Sequence, residues 1–270
     1  MSQRLASLFG ASTPFDPHHT LVTSPFFSPT ILAFIRLSVA IYTLVTLIFL
    51  VVWDSVRSDG DQFFTYFTNL TFTGICAYYW ASFVQTAFFV HRKRHGKDGY
   101  PLQSWGKTLQ VLHLMLQTTV VTFPILVTVV FWALLSSPET LGSTINRYRN
   151  LTVHALNTVF CSFEMIFTNN PPPKPLMLPF MILILIGYLG VAYITHITQG
   201  FYTYSFLDPK EQGSLLAAYI AGIGLAEVVL FGVAWLVMWL RQRIFFKKPE
   251  AGDEVEEEMC EVIEHDKPGV

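Results

Sequence analysis

The sequence predicts an all-α integral membrane protein, a polytopic bundle of six transmembrane helices with both termini in the cytoplasm. Three observations carry that expectation. Charged residues make up 13% of the 270 positions and hydrophobic ones 52%, whereas a soluble domain has about 25% charged residues. The mean hydropathy is +0.44. The apolar residues also fall in long blocks, and a spanning helix needs about 20 of them in a row.

Six blocks meet that length: Ile31–Trp53, Phe64–Val90, Leu109–Leu135, Leu151–Asn169, Leu176–Gln199 and Ser214–Leu240. The fourth is the least apolar, carrying His154, Asn157 and Glu164, so five spans are the main alternative. Turn-forming residues separate the blocks at Ser58-Asp59-Gly60, Gly96 to Pro101, Ser136-Ser137-Pro138, Pro171-Pro172-Pro173 and Asp208-Pro209. Residues 1–30 are expected to be a cytoplasmic segment without a cleavable signal, residues 31–243 the membrane domain, and residues 244–270 an acidic, disordered cytoplasmic tail.

Basic residues set the direction, because they favour the cytoplasmic side. Arg92, Lys93, Arg94, Lys97 and Lys107 lie between spans two and three, and Arg241, Arg243, Lys247 and Lys248 follow span six. Arg4 and Lys174 share that side. The other side holds Arg57, Arg147, Arg149 and Lys210. An even number of spans agrees with this bias.

Several functional classes drop out. Three cysteines cannot make a disulfide framework, and Cys76 and Cys161 sit within apolar blocks. The chain has no Gly-rich phosphate loop, no zinc-spaced Cys/His set and no Gly-x-Ser-x-Gly elbow, so neither a cofactor nor a metal is expected. Arg92-Lys93-Arg94 fits topology and anionic lipid rather than nucleic acid. Membrane lipids are the expected partners.

Ionisable groups inside spans cost at least ~2.5–3.5 kcal/mol each, so each calls for a reason. Arg36 and His113 lie near cytoplasmic ends and are expected at the interface, Arg36 by snorkelling. Thr68 and His154 enter from the opposite side at similar depth, about 4–6 Å in at 1.5 Å per residue, and His196 leaves at that level. A Thr hydroxyl becomes a nucleophile when a His accepts its proton. Spacing alone nevertheless favours structural roles for these residues, with the Thr bonding to its own helix and the His to a neighbour. Glu164 lies ten residues past His154, about 15 Å deeper and expected on nearly the same helix side. Glu164 and Glu227 are expected to be protonated or paired with hydroxyl and amide donors. A polar or proton path through Glu164, Glu227 and the intramembrane histidines, in a transporter or sensor, is the rival function.

Three stretches resemble the androgen-induced gene 1 family. Tyr66-Phe67-Thr68 is similar to its Tyr-x-Thr entry to span two. Asn150-Leu151-Thr152-Val153-His154, followed by Glu164, resembles its fourth-span signature. His196-Ile197-Thr198, then Gly200 and Tyr204-Ser205-Phe206-Leu207, resembles its His-x-Thr-Gly stretch and aromatic segment. The resemblance runs from about Ala33 to Trp239, with Ser205 in place of a Pro and Gln199 inserted before Gly200. It implies an intramembrane threonine hydrolase of lipid esters, namely fatty acid esters of hydroxy fatty acids. Thr68 would be the nucleophile and His154 the base, with Thr71 as the reserve nucleophile. Asn69, Asn157, Thr65 and His196 are the expected oxyanion donors, with Glu164 in support. An endoplasmic reticulum or other endomembrane residence follows from the same resemblance, with the plasma membrane as the alternative.

Overall fold

A computed structural model describes residues 2–57 and 60–245, and their regular structure is entirely helical. The acidic tail expected from residue 244 lies, beyond Phe245, outside the described residues. Six long helices follow the predicted blocks. They are α1 (Pro29–Val56), α2 (Phe67–Arg94), α3 (Lys107–Leu135), α4 (144–166), α5 (Met177–Gln199) and α6 (Leu215–Phe245). The last turn of α3 (Phe131–Leu135) and the middle of α4 (Leu151–Leu156) are π-helical.

Among the described residues, four helices are long and apolar enough to cross a membrane: α1, α3, α5 and α6. The expected spans α2 and α4 fall outside that set because their composition is more polar, and the packing gives the reason. The polar residues of α2 turn inward, with Ser82, Gln85 and Thr86 all buried. The first turns of α4 carry Arg147 and Arg149. On the outer faces the pattern reverses: Leu183 is 60% exposed, Leu225 65% and Ile197 81%. Such an apolar exterior suits lipid as the solvent.

Helix α3 is the hub, touching α2, α4, α5 and α6, while α1 packs mainly along α2. Pro124 sits inside α3, where bundle neighbours can satisfy the groups that a proline leaves free. The N-terminal segment, expected as a cytoplasmic stretch, packs into the bundle end. Phe9, Phe15, Leu21 and Val22 are buried in one cluster with Phe89, Val111 and Leu114. Asp16 holds this segment together, accepting from the Thr20 and Leu21 amides (2.8 and 3.0 Å) and from the Tyr100 hydroxyl at 2.6 Å. Burial and the Asp16 carboxylate push the Tyr100 phenol above its ordinary range.

The snorkelling expected of Arg36 is overturned: the side chain is fully buried. Its Nε and Nη2 donate to the two Glu164 carboxylate oxygens at 3.0 and 2.8 Å, while Nη1 reaches the Leu21 carbonyl and the Thr86 hydroxyl. Glu164 also accepts from the Tyr78 hydroxyl (3.0 Å) and Asn170 Nδ2 (2.8 Å). The expected hydroxyl and amide donors are therefore present, joined by an arginine. A planar guanidinium matches a carboxylate through two parallel bonds, which explains why Arg36 stays inside instead of reaching outward. Glu227, also fully buried, has no hydrogen-bond partner on either oxygen.

Candidate active site

The site begins where the chain enters α2. A 3-10 turn (Gly60–Thr65) leads into Tyr66, the residue that opens the helix. Asn69 Nδ2 donates to the Phe63 carbonyl at 2.7 Å, and the Tyr188 hydroxyl of α5 donates to the Thr65 carbonyl at 3.0 Å. Phe67 wedges between Phe123 and Tyr188, with ring centroids 5.2 and 4.9 Å away. This first turn is thereby tied to α3 and α5, and Thr68 sits next along it, buried at 8% exposure.

His154 comes from the π-helical stretch of α4. Three contacts from α1 fix the start of that helix. Arg149 pairs with Asp54, the Tyr148 hydroxyl meets Thr46 at 2.8 Å, and the Tyr42 hydroxyl meets Thr152 at 3.1 Å. A π turn breaks the normal bonding of the helix and recurs at functional sites. Here side chains reach its carbonyls: Asn157 Nδ2 donates to Val153 at 2.6 Å, and the Thr128 hydroxyl of α3 donates to His154 itself. Thr158 meets the same Thr128 hydroxyl at 2.8 Å. The imidazole is 4% exposed, lies flat on Phe131, and has its Nδ1 buried without a hydrogen-bond partner.

Thr68 and His154 line one cavity of about 220 Å³. Aliphatic side chains from α3, α5 and α6, among them Leu126, Val130, Leu189 and Ile223, make most of its wall. The polar side chains in that wall are Thr68, His154, Tyr188 and Tyr204. Ile186 belongs to the wall and is 60% exposed, so the cavity reaches the lipid-facing surface beside α5.

Tyr204 is the residue that sequence reasoning missed. It arrives because α5 ends at Gly200, whose φ of +82° is the left-handed cap that glycine tolerates. The chain then doubles back through a 3-10 turn (Ser205–Leu207) that buries Phe206 and Leu207. The Tyr204 phenol faces the Thr68 hydroxyl and the backbone of Phe67 and Thr68. Its ring packs near Tyr66, at 5.9 Å, and parallel to Phe206, at 5.1 Å. The residue stood within a matched motif, yet nothing in its spacing announced that it turns back into the bundle.

The other expected site residues lie elsewhere. Thr71 lines a separate cavity of about 260 Å³ together with Leu70 and Gly74. Asn69 and Asn157 spend their amide groups on backbone carbonyls and do not line the Thr68 cavity. Thr65 donates its hydroxyl to Gln62. His196 stacks on Tyr202 with centroids 3.8 Å apart, outside the cavity wall. Glu164 is held by Arg36, facing α1 and α2, which corrects the expectation that it shares a helix side with His154. Ten residues at about 100° each fall well short of a whole number of turns, and the π turn between them adds a further twist.

Among the described residues, no three of His, Cys, Asp and Glu converge as a metal site would require. The arrangement offers a hydroxyl, an imidazole and a phenol on an apolar pocket, the elements of acyl transfer. Comparison with family models, with curated proteins and with solved structures finds no match to this chain.

Proposed function

We propose that this protein is an intramembrane hydrolase of lipid esters that uses Thr68 as nucleophile and His154 as base. The observation that carries the reading is that a Thr and a His from different helices line one apolar cavity whose wall reaches the lipid-facing surface. The chain would cross the membrane six times, with α2 and α4 as the two more polar spans and both termini cytoplasmic.

In this mechanism an ester enters beside α5 with its acyl chain along the aliphatic wall. His154 takes the Thr68 proton as Oγ1 attacks the carbonyl. The oxyanion that forms would be met by the Tyr204 hydroxyl, which takes the place of the amide and imidazole donors expected from sequence. His154 then protonates the departing alcohol, leaving an acyl-Thr68 ester. Water, deprotonated by His154, attacks that ester and releases the fatty acid. The resemblance in three stretches supports fatty acid esters of hydroxy fatty acids as the substrate class.

The test is ester hydrolysis by purified protein in detergent or liposomes. Thr68→Ala and His154→Ala should each abolish turnover while helical content and thermal midpoint persist. A Thr68-linked acyl group should be found by mass spectrometry of rapidly quenched wild type. Turnover retained in either variant refutes the assignment. The rival polar path receives less support, since neither Glu164 nor Glu227 lines the cavity that holds His154.

A further inference from the structure

Another cavity-sized feature lies far from Thr68, at the other end of the same helix. A furrow of about 320 Å³ runs between α1 and α2, where α1 begins and α2 ends. One stripe of α1 (Thr30, Ala33, Leu37) faces one stripe of α2 (Ala87, Val90, Arg94). These spacings of three, four and seven residues put each set on one helix face. Ala33 and Ala87 are small, which leaves the space open between the helices. Phe34 stands at its edge, 66% exposed. From Phe83 at the apolar end to Arg94 at the other, the furrow extends about 16 Å along α2.

Its ends differ in chemistry. The deep end is apolar throughout, while the end at the helix termini carries Thr30, His91 and Arg94. Among the described residues the Arg94 side chain has no hydrogen bond, ion pair or ring contact, whereas Arg36 and Arg149 hold carboxylates and Arg92 holds the Asp98 carbonyl. Arg92, Lys93 and Lys97 surround it in sequence, with Asp98 as the nearest acid. A cationic mouth over an apolar trough matches a molecule with an anionic head and an aliphatic tail.

We propose that this furrow is a binding site for an anionic phospholipid, with one acyl chain between α1 and α2 and its phosphate against Arg94 and the Thr30 hydroxyl. Charge complementarity selects this occupant over a second copy of the chain, which would bring the same uncompensated cations to the contact. The site is independent of the hydrolase reading, since it shares no wall with the Thr68 cavity.

The experiment is native mass spectrometry of the full chain released from micelles containing phosphatidylglycerol and phosphatidylcholine in equal amounts. Wild type should retain phosphatidylglycerol preferentially. Arg94→Gln should cut that preference about fivefold, the effect of one basic side chain at a lipid surface. Ala87→Leu, which fills the furrow and leaves every charge in place, should lose retention as well, and Ala33→Leu provides the same test from α1. Lys97→Gln, outside the furrow, should retain the lipid. Unchanged retention in both filling variants would mean that charge alone attracts the lipid, and the proposal fails. It fails equally if Arg94→Gln behaves as wild type, or if filling the furrow splits a dimer instead of releasing lipid.

Discussion

The His154 imidazole lies flat on the Phe131 ring, with centroids 3.8 Å apart and planes inclined by 10°. Both residues belong to π-helical turns, so two irregular stretches of backbone, one at the end of α3 and one in α4, pack ring to ring at the cavity. The Thr128 hydroxyl, one turn before Phe131, bonds the His154 carbonyl. The imidazole is thus positioned by α3 through a stacking contact and a hydrogen bond.

Removing that positioning should cost turnover without unfolding the bundle. Thr128→Val should lower kcat by about 10- to 100-fold, the scale of a 1 Å misplacement, with KM little changed. Thr128→Ser, which keeps the hydroxyl, should restore most of the rate. Steady-state kinetics on a soluble ester analogue would measure this, and equal loss in the Ser variant would point to packing instead of the hydrogen bond.

Tyr204→Phe removes a hydroxyl that faces Thr68 and keeps the ring packing against Phe206. If that hydroxyl stabilises the oxyanion, kcat should fall by about 10²-fold, while KM and the thermal midpoint stay near wild type. Thr71→Val, in the neighbouring cavity, should leave kcat within a factor of about two, whereas Thr68→Val should not turn over. Loss of activity in Thr71→Val with activity kept in Thr68→Val would exchange their roles.

The pair of Arg36 and Glu164 should be a structural requirement separate from catalysis. Breaking one side of a buried pair leaves a charge uncompensated at a cost of about 3–5 kcal/mol. Glu164→Ala should therefore lower the thermal midpoint sharply. Arg36→Met with Glu164→Leu should lose less than the single change, because no orphan charge remains. Glu227→Gln should be neutral or mildly stabilising, since Gln can sit beside the same Thr122 hydroxyl and carries no charge to bury. Differential scanning fluorimetry in one detergent would compare all three.

The Tyr100 contact predicts a pH dependence at the N-terminal plug. Its folded-state pKa is raised above the ordinary value of about 10. The folded chain then holds this proton more tightly than the unfolded one. The stabilisation is fully present below about pH 10 and declines as pH climbs past that value. Tyr100→Phe should flatten the alkaline part of a stability curve between pH 8 and about 11. An unchanged slope in that variant would place the titration elsewhere.

Much of the bundle was legible in the chain itself. The long apolar blocks of α1, α3, α5 and α6 read directly as helices able to cross a membrane, because what they meet is apolar on every side: mostly the exterior for α1, α5 and α6, and largely the neighbouring helices for α3. His154 stood out because an ionisable group at such a depth is costly, and Thr68 because of the resemblance and its level with His154. Arg36 was misread for a local reason: snorkelling can be judged from one helix, but a bidentate partner 128 positions away cannot. Tyr204 escaped notice because an aromatic residue in a loop looks like any interfacial tyrosine until the loop folds back.

By itself, the sequence determined that the chain is helical and rich in long apolar blocks; it read six of these as spans, of which four are helices long and apolar enough to cross a membrane. Hydrophobic periodicity and block length are local properties, so they survive without a fold. Tertiary structure decided which of the candidate site residues share a cavity. It put Thr68 and His154 on one wall with Tyr204, sent Thr71 to another cavity, turned His196 onto Tyr202, and committed Glu164 to Arg36. Those choices depend on helix rotation, on π turns that shift the register of side chains, and on a loop reversal at Gly200, none of which is written in the spacing of residues along a single helix.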